Sequence, residues 1–297
     1  MLHTSGAARA NRQKIEGDMI EHYLLTKFNL PLDYARYPGQ HDDPAWLAHR
    51  WTLFAKYCLP SVLNQTDTDF IWVIYCAAST PEPYISRLKC LAEGNDQVRV
   101  VSLETTTHGE HFAKWAVGRG DLRAPYILTT RLDNDDAMST HYMGKFRAAA
   151  LRHLQRHTHA FTGPHLWNVP IGYQVADGKY YLSIDPNGPF LSMLERADSE
   201  GIRTILSLSH RDAGRYARTY VFTRPAWLQV VHEENLINEL TGVRVPIHPE
   251  ERFGLEWSPS SAPEPFLGIA REIAATATRW IRRAVLRIVR TLSWIAR

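Results

Sequence analysis

Short apolar runs alternate with amphipathic stretches along the first half of the chain. His22 to Leu30 (HYLLTKFNL) suits a first buried strand, and a loop rich in Pro, Gly and Asp follows to about Pro44. From Ala45 to Leu63, Trp46, Arg50, Leu53 or Phe54, and Tyr57 recur at helical spacing, which predicts an amphipathic helix interrupted or kinked at Pro60. Asp69 to Cys76 (DFIWVIYC) reads as a second strand, Pro81 to Ala92 as a helix, and Val98 to Leu103 as a third strand. A weaker helix over His111 to about Val117 precedes a fourth strand, Tyr126 to Leu132. Strands alternating with helices at this spacing predict an α/β domain with a largely parallel sheet. Ligands of such sheets bind beyond the carboxyl ends of the strands.

The second half changes character. A helix is expected from Ser139 to about His157, with Ser139 or Thr140 capping its first turn. Short strands follow from Ala160 to Asp185. Ile171 to Val175 and Lys179 to Ile184 form a hairpin turning at Asp177 and Gly178. An α+β stretch runs to about Pro249, and WSPSSAPEPF reads as a linker. From Ile269 to Ile295, Ile273, Ile281, Val285, Ile288, Leu292 and Ile295 fall on one helical side, with Arg279, Arg282, Arg283, Arg287 and Arg290 on the other. The expected organisation is a disordered segment over 1–19 and a folded domain over 20–250, with halves of about 20–158 and 159–250. A linker over 251–265 and a basic amphipathic helix over 266–297 complete it.

Charge sharpens this picture. Residues 266–297 carry seven Arg and one Glu, so the net +3 of the chain leaves about −3 on the rest. The positive charge is a property of the tail, which argues against a nucleic-acid partner for the body. The tail is not a spanning helix, because each buried Arg would cost about 2.5–3.5 kcal/mol. Lying on an anionic membrane surface, it would gain about 1 kcal/mol per Arg. The N-terminal residues have no apolar core for a signal peptide, and Cys58, Cys76 and Cys90 show no metal-ligand or redox spacing. A cytoplasmic protein, peripheral at the inner membrane face, is expected. His153, His157 and His159 lack acidic or Cys partners nearby and read as a solvated basic face rather than a zinc site.

The chemistry concentrates in TTRLDNDDAM, residues 129–138, where Asp133, Asp135 and Asp136 crowd the end of the fourth strand. Like charges about 4 Å apart repel by roughly 4 kcal/mol at an effective dielectric near 20. The cluster therefore needs full exposure, as in an Asp-rich turn, or a counter-charge such as Mg²⁺ or Mn²⁺, which take oxygen ligands. An EF-hand loop would need Gly and Glu where Met138 and Lys145 stand. The aspartate pair of haloacid-dehalogenase-like phosphatases continues with a small residue and Thr or Val, where Asp136 and Ala137 stand.

TTRLDNDDA resembles the metal-binding D-x-D signature of GT-A glycosyltransferases, in the form found in the putative rhamnosyltransferase family. PSVLNQTDTDFIWVIY, Pro60 to Tyr75, is similar to the helix and second strand of nucleotide-sugar transferases. HYLLTKFNL resembles the family's first strand, and WLQVVHEENLIN, Trp227 to Asn238, its distal motif. The resemblance implies a GT-A-like, Rossmann-type nucleotide-binding sheet with an acceptor-side α+β half. It also implies a divalent ion, Mn²⁺ or Mg²⁺, held by the D-x-D carboxylates on the diphosphate of a nucleotide-sugar donor. Asp135 would be the direct ligand, Asp133 would reach the metal or ribose, and Asp136 would support either. Arg131 would hold a phosphate or balance the carboxylates. Relatives carry acidic residues after the second strand, where this chain has Cys76, Ala77 and Ala78, so base recognition passes to Thr26, Lys27 and Asn29, or to Glu82.

A transferase that inverts its anomeric centre needs a general base for the acceptor hydroxyl. His232, Glu233 and Glu234 are candidates, and Asp212 beside His210 and Arg211 is a rival. Read as a helix, the distal motif puts His232 on one face with Asn235, and His232 could alternatively be a metal ligand. The expectation is a metal-dependent glycosyltransferase moving a sugar, with rhamnose suggested by the family name, from a nucleotide diphosphate to a polysaccharide or glycolipid acceptor. The alternatives are a metal-dependent phosphohydrolase and a non-catalytic peripheral membrane protein with a degenerate nucleotide-binding fold.

Overall fold

The computed structural model describes residues 19–30, 40–104, 124–157, 161, 163–186, 188–197, 202–208, 216–221, 224–232 and 239–256. The expected helix at 111–117, the N-terminal segment and the basic tail lie outside the described residues.

Four parallel strands carry the first half: β1 (Ile20–Lys27), β2 (Ile71–Ala77), β3 (Val98–Leu103) and β4 (Tyr126–Arg131). β1 is buried on both faces, so its sequence shows a continuous run rather than alternation. Leu24 packs with Trp72 and Ile74 into one core, while Tyr23 and Leu25 join Val73 and Tyr75 in another across the sheet. β2 and β3 build outward on one side of β1, and the chain then returns to place β4 on its other side. The winding therefore reverses between β1 and β4, which opens a crevice at the carboxyl ends of those two strands.

The same sheet reaches past the expected boundary at residue 158. β9 (Ser192–Arg196) pairs antiparallel with β4, β6 (His165–Asn168) with β9, and β10 (Ala217–Tyr220) parallel with β6, giving seven strands in the order β10-β6-β9-β4-β1-β2-β3. The two halves of the chain thus share one sheet.

A second sheet of five strands has the order β12-β8-β7-β11-β5. It comprises β5 (Ala137–Met138), β7 (Ile171–Ala176), β8 (Lys179–Ile184), β11 (Trp227–Val230) and β12 (Val243–Val245). The expected hairpin is present between β7 and β8, with Asp177 at φ 50 and Gly178 at φ 70, the left-handed pair of a tight two-residue turn. Gly172 is required on β7 because a Cβ there would meet the Trp227 ring at 1.9 Å.

Among the described residues four α-helices accompany the sheets: α1 (Pro44–Leu53), α2 (Leu59–Leu63), α3 (Glu82–Glu93) and α4 (Tyr142–His157). Asp43 caps α1 by accepting from the Trp46 N–H at 2.8 Å. The expected kink at Pro60 is instead a π-turn over Phe54–Cys58, in which the Leu59 N–H reaches the Phe54 carbonyl. Widening the turn ahead of Pro60 keeps the path helical from 44 to 63 although proline cannot donate. The expected start of α4 at Ser139 is corrected, since β5 occupies Ala137–Met138 and the helix begins at Tyr142. No cap bond involves the Ser139 hydroxyl, which is buried and unpaired.

The SVLNQT motif turns out to be a fastener. Ser61 donates to the Cys58 carbonyl and accepts from Met138 N–H at 3.3 Å. Gln65 donates to the Ser61 and Ser139 carbonyls and accepts from Met143 N–H at 3.1 Å. Thr66 bonds to Thr140 and His141, and Asn64 to the Gly254 carbonyl. The motif thereby fixes the chain leaving the acidic cluster. Phe253 is fully buried and Leu255 packs beside it, so the fold continues into the stretch expected to be linker. Cys58 and Cys76 are buried, whereas Cys90 is exposed. Among the described residues no helix is long and apolar enough to cross a membrane.

Candidate functional site

The acidic cluster bridges the two sheets. β4 ends at Arg131, β5 starts at Ala137, and the residues between them cross from one sheet to the other at the mouth of the crevice. This crossing gives the three carboxylates different environments.

Asp133 is exposed at the rim. Asp136 is fully buried, and its Oδ1 accepts the Val230 N–H at 2.7 Å, so a side chain continues the ladder where β5 stops. Its Oδ2 is buried without a partner. Burial first, and then the charges of Asp135 and Asp133, push the Asp136 carboxyl well above the usual carboxylate range.

Asp135 is the centre of the site. Its Oδ2 lies 2.5 Å from Arg50 Nη1 and 3.0 Å from His232 Nε2. Burial alone would raise its pKa, but the His232 hydrogen bond and the Arg50 guanidinium outweigh it and hold the carboxyl below its ordinary value. His232 reaches this position because β11 pairs antiparallel with β5 and parallel with β7, which delivers the residues after Val230 to the cluster. Trp227–Val230 is a strand, anchored by the Trp227 Nε1 bond to the Val169 carbonyl at 2.9 Å, and the helical reading that pairs His232 with Asn235 falls on residues outside the described ones. Glu233, Glu234 and Asp212 lie outside the described residues, as do His210, Arg211 and Asn235.

The residues at the end of β1 behave differently. Thr26 is buried and accepts from Trp72 Nε1 at 3.0 Å. Asn29 is also buried; its Oδ1 accepts from Ala77 N–H and the Thr80 hydroxyl, and its Nδ2 donates to the His41 carbonyl. Together the two side chains clip β1 to β2 and to the loop before α1. Lys27, the last residue of β1, is partly exposed. Arg131 is half-buried and donates to the Pro189 carbonyl at 3.0 Å, tying the loop before β9 to the rim. Glu82, exposed on α3, accepts from Ser86.

Four residues of the site were not singled out for it by their sequence context. Asn134 donates to the Phe28 carbonyl and accepts from Arg50, so the middle residue of the D-x-D stretch pins β4 to β1. Trp46, His49 and Arg50 project from one side of α1. The Arg50 Cζ lies 5.1 Å from the Trp46 ring centroid, and the His49 ring stands perpendicular to that of His232 at 5.1 Å. The available signal was an arginine at a core-facing helical position, which is rare without a buried acid to meet it.

Asp135 and His232 fit a divalent ion as a carboxylate and an imidazole brought together from opposite halves of the fold. Among the described residues no group of three His, Cys, Asp or Glu is placed to hold a metal. Two protein ligands suit an ion that completes its shell with substrate phosphates and water. His153 lies beside both His157 and His165, its ring centroid 4.8 Å and 4.2 Å from theirs and tilted to each.

The fold defines an open α/β protein whose acidic cluster lies at the switch point of its main sheet. The chain belongs to the family described as putative rhamnosyl transferase, which matches residues 40–243. No curated protein sequence matches it. Among solved structures, S. aureus TarS 1–349 is similar at 12% identity and a TM-score of 0.37, covering 71% of this chain and 60% of that one. The same protein in complex with UDP-GlcNAc gives 12% identity and 0.38, covering 86% and 66%. A putative nucleotide-diphospho-sugar transferase from Desulfovibrio desulfuricans G20 gives 14% and 0.33, covering 71% and 82%. At these scores the likenesses carry no ligand or reaction over to this chain.

Proposed function

We propose that this protein is a metal-dependent glycosyltransferase that moves a sugar from a nucleoside diphosphate to a saccharide or glycolipid acceptor. The observation that carries the reading is the meeting of Asp135 and His232 at 3.0 Å, at the switch-point crevice of a chain in a sugar-transferase family. The donor diphosphate would lie across the carboxyl ends of β1 and β4, with Asp133 at the rim and Lys27 and Arg131 as nearby positive charge. Asp135 and His232 would hold the divalent ion, with Asp136 behind them fixing the crossing to the second sheet. When bound, the ion supplies positive charge to the departing diphosphate. The Val230 N–H bond to Asp136 keeps the crossing between the two sheets in one arrangement, so the backbone that carries the carboxylates reorganises little as charge develops.

The 3.0 Å approach of His232 to Asp135 favours a donor-side role for that imidazole. The acceptor's base then falls to Glu233, Glu234 or Asp212. Rhamnose is the sugar that the family's name suggests. The tail at 266–297 would seat the enzyme on the anionic cytoplasmic membrane face, an assignment supported by its sequence pattern.

Calorimetry with a panel of nucleoside diphosphates, with and without Mn²⁺, tests the reading, followed by transfer assays that compare rhamnosyl donors with UDP-GlcNAc. Binding of at least one nucleotide that strengthens with metal is expected. If no nucleotide binds, or the metal makes no difference, the proposal fails. Deleting 266–297 should release the protein from anionic vesicles, and unchanged flotation would refute the anchor.

A further inference from the structure

We propose that Arg50 is an internal cation that stands in for the divalent ion at Asp135, so that the protein takes up metal only together with a diphosphate. The inference rests on the glycosyltransferase reading and adds a positioning residue to it.

Two cations would compete for one oxygen. Asp135 Oδ2, the atom that faces His232, is also the atom that Arg50 Nη1 meets at 2.5 Å. A divalent ion joining Asp135 and His232 would sit beside a buried guanidinium of the same sign. At such separations and in so little water, that repulsion opposes metal binding strongly. Arg50 is held by more than its ion pair: Asn134 Oδ1 lies 3.4 Å from the same nitrogen, and the guanidinium stacks beside Trp46. Its Nε is buried without a hydrogen-bond partner, which leaves donor capacity for an incoming oxygen.

A diphosphate removes the conflict in two ways. Its oxygens complete the shell of an ion that has only two protein ligands here. They also offer Arg50 the planar two-oxygen partner that a guanidinium prefers, so Asp135 can be released to the metal. Ion and diphosphate then bind with positive coupling, each raising the affinity for the other. Asn134 and Trp46 define the starting position from which Arg50 turns.

The test uses the full chain and Mn²⁺ alone, with free Mn²⁺ followed by electron paramagnetic resonance. Wild type should bind weakly, and Arg50→Met should bind about tenfold more tightly or better. Arg50→Lys, which keeps the charge, should behave as wild type, and adding Asp135→Asn to Arg50→Met should erase the gain. Arg50→Gln serves if the methionine variant does not fold. The proposal is overturned if the neutral variants bind Mn²⁺ no more tightly than wild type, or if Arg50→Lys binds as they do. Those results are separable from failure of the glycosyltransferase reading, which is read on wild type with the nucleotide panel.

Discussion

The carboxyl ends of β1 and β4 lie side by side at the switch point, and both carry polar residues, yet the two ends use them differently. At β1, Thr26 and Asn29 are buried with their hydrogen bonds satisfied inside the protein. At β4, Asp133 is exposed, Asp135 is shared between a cation and an imidazole, and Asp136 keeps one buried oxygen without a partner. A polar residue at a strand end is therefore not a ligand contact by position alone. What separates scaffold from site is whether the fold leaves bonding capacity over.

Four perturbations would break or sharpen that contrast, beginning with the largest expected effect. Arg50→Met strands the Asp135 charge in the interior and should cost about 3–5 kcal/mol by denaturant unfolding. The double variant with Asp135→Asn should recover part of that loss, and Mn²⁺ should raise the melting temperature of the single variant more than that of wild type. Asp133→Asn comes next. It should lower kcat/KM for transfer by about 100-fold while moving stability by less than about 0.5 kcal/mol, because the residue is exposed. Equal losses of stability and activity would instead make Asp133 a structural residue.

Asn29→Ala should do the reverse. It removes an acceptor from Ala77 and Thr80, and should cost about 2 kcal/mol in stability while leaving nucleotide affinity of the folded protein unchanged. A weaker nucleotide Kd at full folding would return Asn29 to the donor site.

The last perturbation concerns His22, which lies on β1 far from the opening. Burial, followed by the charge of Arg147, lowers its pKa from 6.5 to about 3. A histidine whose folded pKa is depressed binds more protons when unfolded, so its contribution is fully present above pH 6.5 and is lost as pH falls towards 3. The slope is about 1.4 kcal/mol per pH unit within that window. His22→Gln should flatten this part of the pH–stability curve, and an unchanged slope would show that other groups set acid lability.

Much of the first sheet was legible along the chain. DFIWVIYC and YILTTR are apolar runs too short for helices and bounded by turn residues, and burial on both faces explains their lack of alternation. The paired left-handed conformations of Asp177 and Gly178 were equally readable, because a turn is a local matter. Trp227–Val230 was not. Four residues cannot display a period, and strand geometry there depends on partners 55 and about 90 positions earlier in the chain. The Ser61–Gln65 stretch was recognised as a motif, but its work as a fastener appears only when Met138 and Ser139 are beside it.

The candidate site divides along the same line. The sequence alone determined that three carboxylates would collect at a strand end, since spacing and hydropathy are local, and it determined the family through ordered motifs. Only the tertiary structure decided that Asp133 would face solvent, that Asp136 would extend a sheet ladder, and that Asp135 would be held between Arg50 and His232. Those assignments turn on burial and on pairings 85 and 97 residues apart, because electrostatic environment is a property of what surrounds a group in space.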